Sequence, residues 1–287
     1  MITEPARLGT TTLPDGRALG WAEWGPPGGR PVVLCPGAGT SRSLGFGAGV
    51  LADLGIRLVS VDRPGLGASD PAPGRTLDDW AADVRHLARA RGLGAPAVVG
   101  YSQGVPFALA CAARGVAAAA AVVCGDELAD PRLADRLDAE VRGLVELAAA
   151  DPARAEAVFA EFGDAERLEE MIVAGSSEVD RAVYTEPGFA RAFRRALAEG
   201  FRQGPAGYAR DTLLSMRRWP FDPAQVTVPV DLWYGRLDAS PVHSPDLGAT
   251  LAARMPAARR HVVDTAGGAL LWTHAVDVLR TVHVRLY

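Results

Sequence analysis

Short hydrophobic runs alternate with segments of helical periodicity in the first part of the chain. Continuous apolar runs predict buried strands at residues 18–24, 31–35, 57–61, 95–100 and 117–124. Between two of these runs, apolar residues recur on one face of a predicted helix, namely Leu77, Trp80, Val84 and Leu87. Thr76 and Asp79 have the spacing of a capping box, so this helix is predicted to begin after Thr76.

The pattern changes between residues 127 and 223, where strand signals vanish and Ala, Glu and Arg follow helical spacing. Strand and helix patterns return from residue 228 and continue towards the C-terminus. This organisation predicts an α/β fold with a mostly parallel, doubly wound sheet. Residues 1–126 and 224–287 are expected to form the core, and residues 127–223 an inserted helical cap.

Composition and charge narrow the classes of function. The chain has 287 residues, of which 48% are hydrophobic and 22% charged, as in ordinary globular proteins. Its 30 basic residues, all arginine, and 34 acidic residues give a net charge of −4 without a basic tract, which argues against nucleic acid or membrane partners.

The cysteines and apolar segments indicate the compartment. Cys35, Cys111 and Cys124 each lie in an apolar run, which is typical of buried, reduced thiols. No segment approaches the roughly 20 apolar residues of a membrane span, and no apolar stretch near the N-terminus suggests a signal peptide. The expectation is a cytoplasmic protein.

The segment Gly100-Tyr101-Ser102-Gln103-Gly104 follows a predicted buried strand and precedes a predicted helix. Gly-X-Ser-X-Gly in this context predicts a nucleophile elbow, a strained turn that lifts the serine hydroxyl clear of the sheet. Glycines are needed two positions on either side, because side chains there would collide in the tight turn. Ser102 is therefore the candidate nucleophile.

Three further segments, at residues 34–39, 62–69 and 234–238, complete a recognisable pattern. With the elbow, they make the chain resemble the α/β-hydrolase-fold serine hydrolases over nearly its full length. The resemblance implies hydrolysis of a carboxylic ester, lactone or thioester through an acyl-Ser102 intermediate. It also implies the backbone amides of Ala38 and Gln103 as the oxyanion hole, Asp238 as the acid of a triad, and no metal or organic cofactor. Asp126, after an earlier strand, is the alternative acid.

The base is where the chain departs from the family. The family places Gly-His after the last strand, whereas this chain has Gly267-Gly268-Ala269-Leu270. This alignment puts the missing histidine at Ala269, or at Gly268 if the register slips by one. Of the histidines present, only His243 is a plausible substitute, since it follows Asp238 closely; the others are His86, His261, His274 and His283.

A serine without a base retains its binding pocket but loses most of its rate. The favoured hypothesis is therefore an inactivated His-to-Ala form of a hydrolase for an apolar small molecule of moderate size. The alternatives are a natural non-hydrolytic enzyme, such as a cyclase or lyase, and a small-molecule-binding protein on the same scaffold. The oligomeric state is left open.

Overall fold

The computed structural model describes residues 2–285. Eight strands form one sheet in the spatial order β1-β2-β4-β3-β5-β6-β7-β8. The strands are β1 Arg7–Thr12, β2 Ala18–Trp24, β3 Arg30–Cys35, β4 Ile56–Val61, β5 Ala97–Tyr101, β6 Ala119–Val123, β7 Val230–Gly235 and β8 Ala258–Val263. β2 runs antiparallel to β1 and β4, and the remaining neighbours are parallel. The predicted mostly parallel α/β sheet is confirmed.

Helices cover both faces of this sheet. They are α1 Leu77–Ala90, α2 Val105–Ala113, α9 Ala249–Arg254, α10 Leu270–Thr273 and α11 Ala275–Val284. Every residue of β5 is buried; Val98 packs with α1 and α2, while Val99 faces the opposite cluster with α11. The predicted capping box is present at α1, where Thr76 accepts a hydrogen bond from the Asp79 N–H. Burial on both faces explains why these strands are apolar without alternation.

β1 is the strand that the hydrophobic pattern did not predict. Its sequence, RLGTTT, alternates between half-buried and exposed positions and pairs only with β2 at the edge of the sheet. An edge strand of this kind buries little apolar surface, so its stability comes from the ladder with β2 and leaves a weak sequence signal.

Between β6 and β7 the described residues form helices and turns, and we call residues 127–223 the cap. Its α-helices are α3 Ala139–Ala150, α4 Pro152–Glu161, α5 Ala165–Ala174, α6 Glu178–Tyr184, α7 Pro187–Gly200 and α8 Ala206–Met216. Two apolar clusters hold them. One includes Leu168, Tyr184 and Phe193, and the other includes Val141, Phe159 and Leu213.

Parallel strands end at the same edge of a sheet, and ligands of open α/β sheets bind outside that edge. Here residues at or after the ends of β3, β5, β6, β7 and β8 line one cavity together with residues of the cap. A buried ion pair between Arg63, after β4, and Asp211, on α8, ties the cap to this edge at 2.6 Å.

Candidate active site

Ser102 occupies a sharp turn between β5 and α2. Its φ of 50° lies in the left-handed region, which is strained for a residue with a side chain. The flanking glycines are required by contact: a Cβ at Gly104 would lie 2.0 Å from the Cys35 carbonyl oxygen, and one at Gly100 would lie 2.7 Å from the Cα of Val105. The turn therefore has the geometry of the predicted elbow.

Ser102 begins a continuous chain of hydrogen bonds. Its Oγ lies 2.9 Å from Nε2 of His243, and Nδ1 of His243 lies 2.7 Å from Oδ2 of Asp238. The ionised carboxylate of Asp238 can only accept a hydrogen bond, so the proton of the neutral ring lies on Nδ1. Nε2 is then unprotonated and accepts a hydrogen bond from the Ser102 hydroxyl. Serine, imidazole and carboxylate thus stand in the order of a catalytic triad.

The expectation that no histidine serves Ser102 is corrected by this geometry. Ala269 is fully buried in the apolar cluster that includes Phe189 and Phe193, so its methyl group belongs to the packing of the cap. Gly268, the alternative position for the missing histidine, lies next to the site: a Cβ there would lie 2.8 Å from Asp238 Oδ1 and 3.2 Å from His243 Cε1. The imidazole of His243 occupies the space that a side chain from the turn after β8 would enter.

The loop that carries Asp238 and His243 is held against the end of β6. The N–H of Ser244 donates to the Cys124 carbonyl at 3.0 Å, and the Ser244 hydroxyl donates to Asp126 Oδ2 at 2.6 Å. Asp126, the alternative acid, therefore bonds to the neighbour of His243 and not to its imidazole. Burial is the main cause that raises the pKa of Asp126 to about 7. Its place in the structure is to anchor the loop.

The acid and base shift each other's protonation. Burial opposes ionisation of Asp238, but the charge and hydrogen bond of His243 outweigh it and hold the pKa of Asp238 below its ordinary value. Burial also acts to lower the pKa of His243, but the charge of Asp238, its hydrogen bond and the charge of Asp180 raise it above the ordinary value. The ring is therefore a stronger base than a free imidazole.

Comparison with known proteins agrees with the fold. Residues 32–281 match the model of a family described as the alpha/beta hydrolase family. The chain belongs to this family. A non-heme chloroperoxidase from Streptomyces lividans is 37% identical over 100 residues, which cover 34% of this chain and only 36% of that relative.

Solved structures of similar fold span nearly the whole chain. An enol-lactonase from Burkholderia xenovorans aligns with a TM-score of 0.67 and 18% identity, covering 97% of this chain and 99% of its own. An esterase from a Rhodococcus species aligns with a TM-score of 0.63 and 22% identity, covering 96% and 98%. At these identities the likeness concerns the alpha/beta hydrolase fold alone.

The loop after β3 carries Ala38, the predicted oxyanion donor. A Cβ at Gly37 would lie 3.9 Å from that of Ser102, so the loop runs beside the nucleophile. The buried Arg63 guanidinium holds the loop by donating to the carbonyls of Pro36 at 2.5 Å and Gly37 at 2.9 Å. This use of the arginine in the 62–69 segment was not predicted from the sequence.

Gln103, the second predicted oxyanion residue, follows Ser102 directly. Its side chain donates to Thr212 Oγ1 on α8 at 2.9 Å, which connects the elbow to the cap. Ala38 and Gln103 both line the cavity beside Ser102. Both residues therefore line the same cavity as the nucleophile, and their role as oxyanion donors stays a prediction.

A cavity of about 620 Å³ lies between the core and the cap, with Ser102 and His243 in its wall. Most of its lining is apolar and comes from both cap clusters, for example Leu144 and Phe159 on one side and Leu168 and Phe193 on the other. Three exposed apolar side chains also line it and mark its opening, namely Phe162, Met171 and Val242.

One group within the described residues has the spacing of metal ligands. Cys124, Asp238 and His243 each offer an atom within 4.8 Å of the others. Burial raises the pKa of the Cys124 thiol well above its ordinary value, whereas a thiol binds metal as a thiolate. Asp238 and His243 already bond to each other, so these residues fit a triad better than a metal site.

None of the helices in residues 2–285 is long and apolar enough to cross a membrane.

Proposed function

We propose that this protein is a serine hydrolase that cleaves carboxylic esters, lactones or thioesters through an acyl-Ser102 intermediate. The observation that carries the proposal is the pair of hydrogen bonds at His243, 2.9 Å to Ser102 Oγ and 2.7 Å to Asp238 Oδ2. In this assignment Ser102 is the nucleophile, His243 the general base and Asp238 the residue that orients the imidazole.

The proposed reaction proceeds in two balanced halves. His243 Nε2 takes the hydroxyl proton as Ser102 Oγ bonds to the carbonyl carbon, and the amides of Ala38 and Gln103 stabilise the oxyanion. The same proton passes to the leaving alcohol or thiol as its bond to the carbonyl carbon breaks. Water then loses a proton to His243, attacks the acyl carbon and releases the carboxylic acid, while Ser102 regains its proton.

The charge of the cavity wall supports a class of substrate. In the described part of the chain no Arg contributes to the lining, whereas five acidic residues do: Asp126, Asp138, Glu140, Asp180 and Asp238. While His243 is in its neutral, proton-accepting form, a carboxylate or phosphate in the substrate would meet no cation in the wall, and desolvating it there would be costly. We therefore propose that the binding partner is a small-molecule substrate, namely an apolar ester of moderate size that is either uncharged or cationic.

The compartment is also a proposal. Cys35, Cys111 and Cys124 are buried and unpaired, which suits a reducing environment such as the cytoplasm.

The proposal is tested with p-nitrophenyl butyrate and its carboxylate-bearing analogue, p-nitrophenyl hemisuccinate. We expect hydrolysis of the butyrate, loss of turnover in Ser102→Ala, and kcat/KM at least about tenfold lower for the hemisuccinate, an effect of one poorly solvated charge. A fluorophosphonate probe should label Ser102 in the same protein. If neither butyrate nor longer-chain esters react and the probe fails, the hydrolase proposal is wrong.

The two other functions predict different results from the same proteins. A cyclase or lyase that uses only the oxyanion hole would keep its turnover in Ser102→Ala. A binding protein would retain ligands without turnover and without labelling. A histidine within hydrogen-bond reach of Ser102 favours hydrolysis over both, because neither function requires an activated serine.

A further inference from the structure

A short turn after β8, residues 267–269, lies between the cap and the Asp238–His243 pair. Asp180 on α6 is 3% exposed, and its carboxylate accepts the N–H groups of Gly268 and Ala269, each at 2.8 Å. The Ser177 hydroxyl donates to the same carboxylate at 2.8 Å. One cap side chain thus satisfies two successive backbone donors of a core loop.

Tyr101, the last residue of β5, holds the other side of this turn and is contacted by α6. The Tyr101 hydroxyl donates to the Gly268 carbonyl at 2.9 Å and lies 3.0 Å from the Tyr184 hydroxyl. Asp180 of α6 thus holds the N–H of Gly268, whereas Tyr101 of β5 holds its C=O and is itself contacted by Tyr184, the last residue of α6. Gly268 is therefore fixed on both sides, and α6 acts on it directly at the N–H and through Tyr101 at the C=O.

This turn separates the Asp180 carboxylate from the acid–base pair by a single layer of backbone. A Cβ at Gly267 would lie 2.1 Å from Asp180 Oδ2, whereas a Cβ at Gly268 would lie 2.8 Å from Asp238 Oδ1. Asp180 packs against one face of the turn, and Asp238 with His243 packs against the other. A displacement of the turn away from α6 is therefore a displacement towards the pair.

We propose that Asp180 is a positioning residue for the catalytic pair, which holds the 267–269 turn so that Asp238 and His243 keep their alignment with Ser102. The proposal rests on the hydrolase function proposed above. It implies that docking of α6 and assembly of the triad are one event, because the same carboxylate stabilises both. The cap then contributes to the rate as well as to the shape of the cavity.

Asp180 also acts on the base through its charge. The ionisable groups around His243 are Asp238 on its own loop, Ser102 and Tyr101 at the elbow, Cys124 at β6, and Asp180 with Tyr184 on α6. Of these, Asp238 and Asp180 raise the pKa of His243. Removing the Asp180 charge should lower that pKa, so the acidic limb of kcat/KM moves to lower pH.

The test compares Asp180→Asn with Asp164→Asn. Asp164 is an exposed residue of the same cap that accepts the Arg167 N–H at the start of α5, at 2.9 Å, and it does not line the cavity. With p-nitrophenyl butyrate we expect kcat in Asp180→Asn to fall by about tenfold or more, with a change in KM of less than about threefold. The control should retain the wild-type kcat, KM and pH profile.

A second measurement does not depend on turnover. Proton NMR of the His243 ring, assigned by comparison with His243→Ala, gives its pKa directly in the wild type and in Asp180→Asn. We expect a lower value in the variant, and thermal unfolding confirms that the variant is folded. Should Asp180→Asn fail to fold, Tyr184→Phe provides the milder variant, and we expect a smaller fall in its kcat.

The outcomes separate the two proposals. A wild type that hydrolyses no ester contradicts the proposed function, while the NMR titration still decides whether Asp180 acts on His243. An active wild type whose kcat, acidic limb and His243 pKa are all unchanged in Asp180→Asn overturns the positioning role. A loss confined to KM would place Asp180 in substrate binding instead, and would also contradict it.

Discussion

The turns after β7 and β8 lie side by side at one edge of the sheet and differ in what they contribute. The β7 turn carries both Asp238 and His243, which are five residues apart and bonded at 2.7 Å. The β8 turn, residues 267–269, carries no functional group and presents only its backbone to Asp180. In the proposed triad, acid and base therefore come from one loop, and the second loop supports it.

This division shows that a triad is defined by where its atoms meet and not by the loop that supplies each residue. Ser102 requires an imidazole nitrogen at hydrogen-bond distance, with a carboxylate behind it. A side chain five positions beyond the acid reaches that place because Ser244 anchors the loop to the end of β6. Glycine at 267 and 268 then becomes a steric requirement, since the space is already filled from both sides.

The largest effect separates the two turns as sources of the base. We expect His243→Ala to lower kcat for p-nitrophenyl butyrate by about a thousandfold or more, because Ser102 loses its proton acceptor. Ala269→His should not restore activity in this background, since position 269 lies within the apolar cluster of the cap. His261→Ala, on β8 and bonded to Asp231, is the matched control. Full activity of His243→Ala would contradict the assignment.

A smaller effect tests the β8 turn as a packed support. Gly267→Ala would place a methyl group against the Asp180 carboxylate and should destabilise the fold by about 1–3 kcal/mol, as overpacking does. For a chain of this size that corresponds to a fall in Tm of roughly 2–4 °C per kcal/mol. Gly28→Ala is the control, because nothing lies within 4 Å of a Cβ at that position. Equal Tm values for the two variants would contradict the packing argument.

The smallest effect concerns the β7 turn and pH. Because the pKa of His243 is raised, the acidic limb of kcat/KM should have its midpoint above the ordinary histidine value of about 6.5. Activity increases as His243 loses its proton. The contribution of protonated His243 to the free energy of unfolding has the opposite pH dependence: it is fully present below the pKa of this histidine in the unfolded chain and is lost as pH rises through its higher pKa in the folded protein. Tm against pH, with His243→Ala as reference, measures it; a limb below 6.5 would oppose the prediction.

Much of the fold could be predicted from the chain because its signals are local. The continuous apolar run before Ser102 identifies a strand buried on both faces, and the glycines around Ser102 identify a turn too tight for side chains. Thr76 and Asp79 predicted a helix start that the structure contains. Such features depend on residues a few positions apart, so they can be predicted without the tertiary structure.

The site was only partly predictable for the opposite reason. Ser102, Asp238, Ala38 and Gln103 were selected by motifs, and in the structure all four line the cavity. His243 was named only as a substitute base, because its position depends on the path of a loop and loops leave no periodic pattern in the sequence. Its spacing from Asp238 was the one available signal. Asp180 and Tyr184 gave no signal, since their partners, Gly268 for Asp180 and Tyr101 for Tyr184, are far away in the sequence.

The sequence by itself determined the class of the fold, the candidate nucleophile and the absence of a histidine from the turn after the last strand, residues 264–269. Only the tertiary structure decided that this absence is filled by His243, because hydrogen bonds form between atoms that fold to within about 3 Å of each other. The same reason applies to the cap. Local periodicity predicts its helices, whereas the proposed role of the Asp180 carboxylate depends on the 267–269 turn, which lies beside it only in the folded protein.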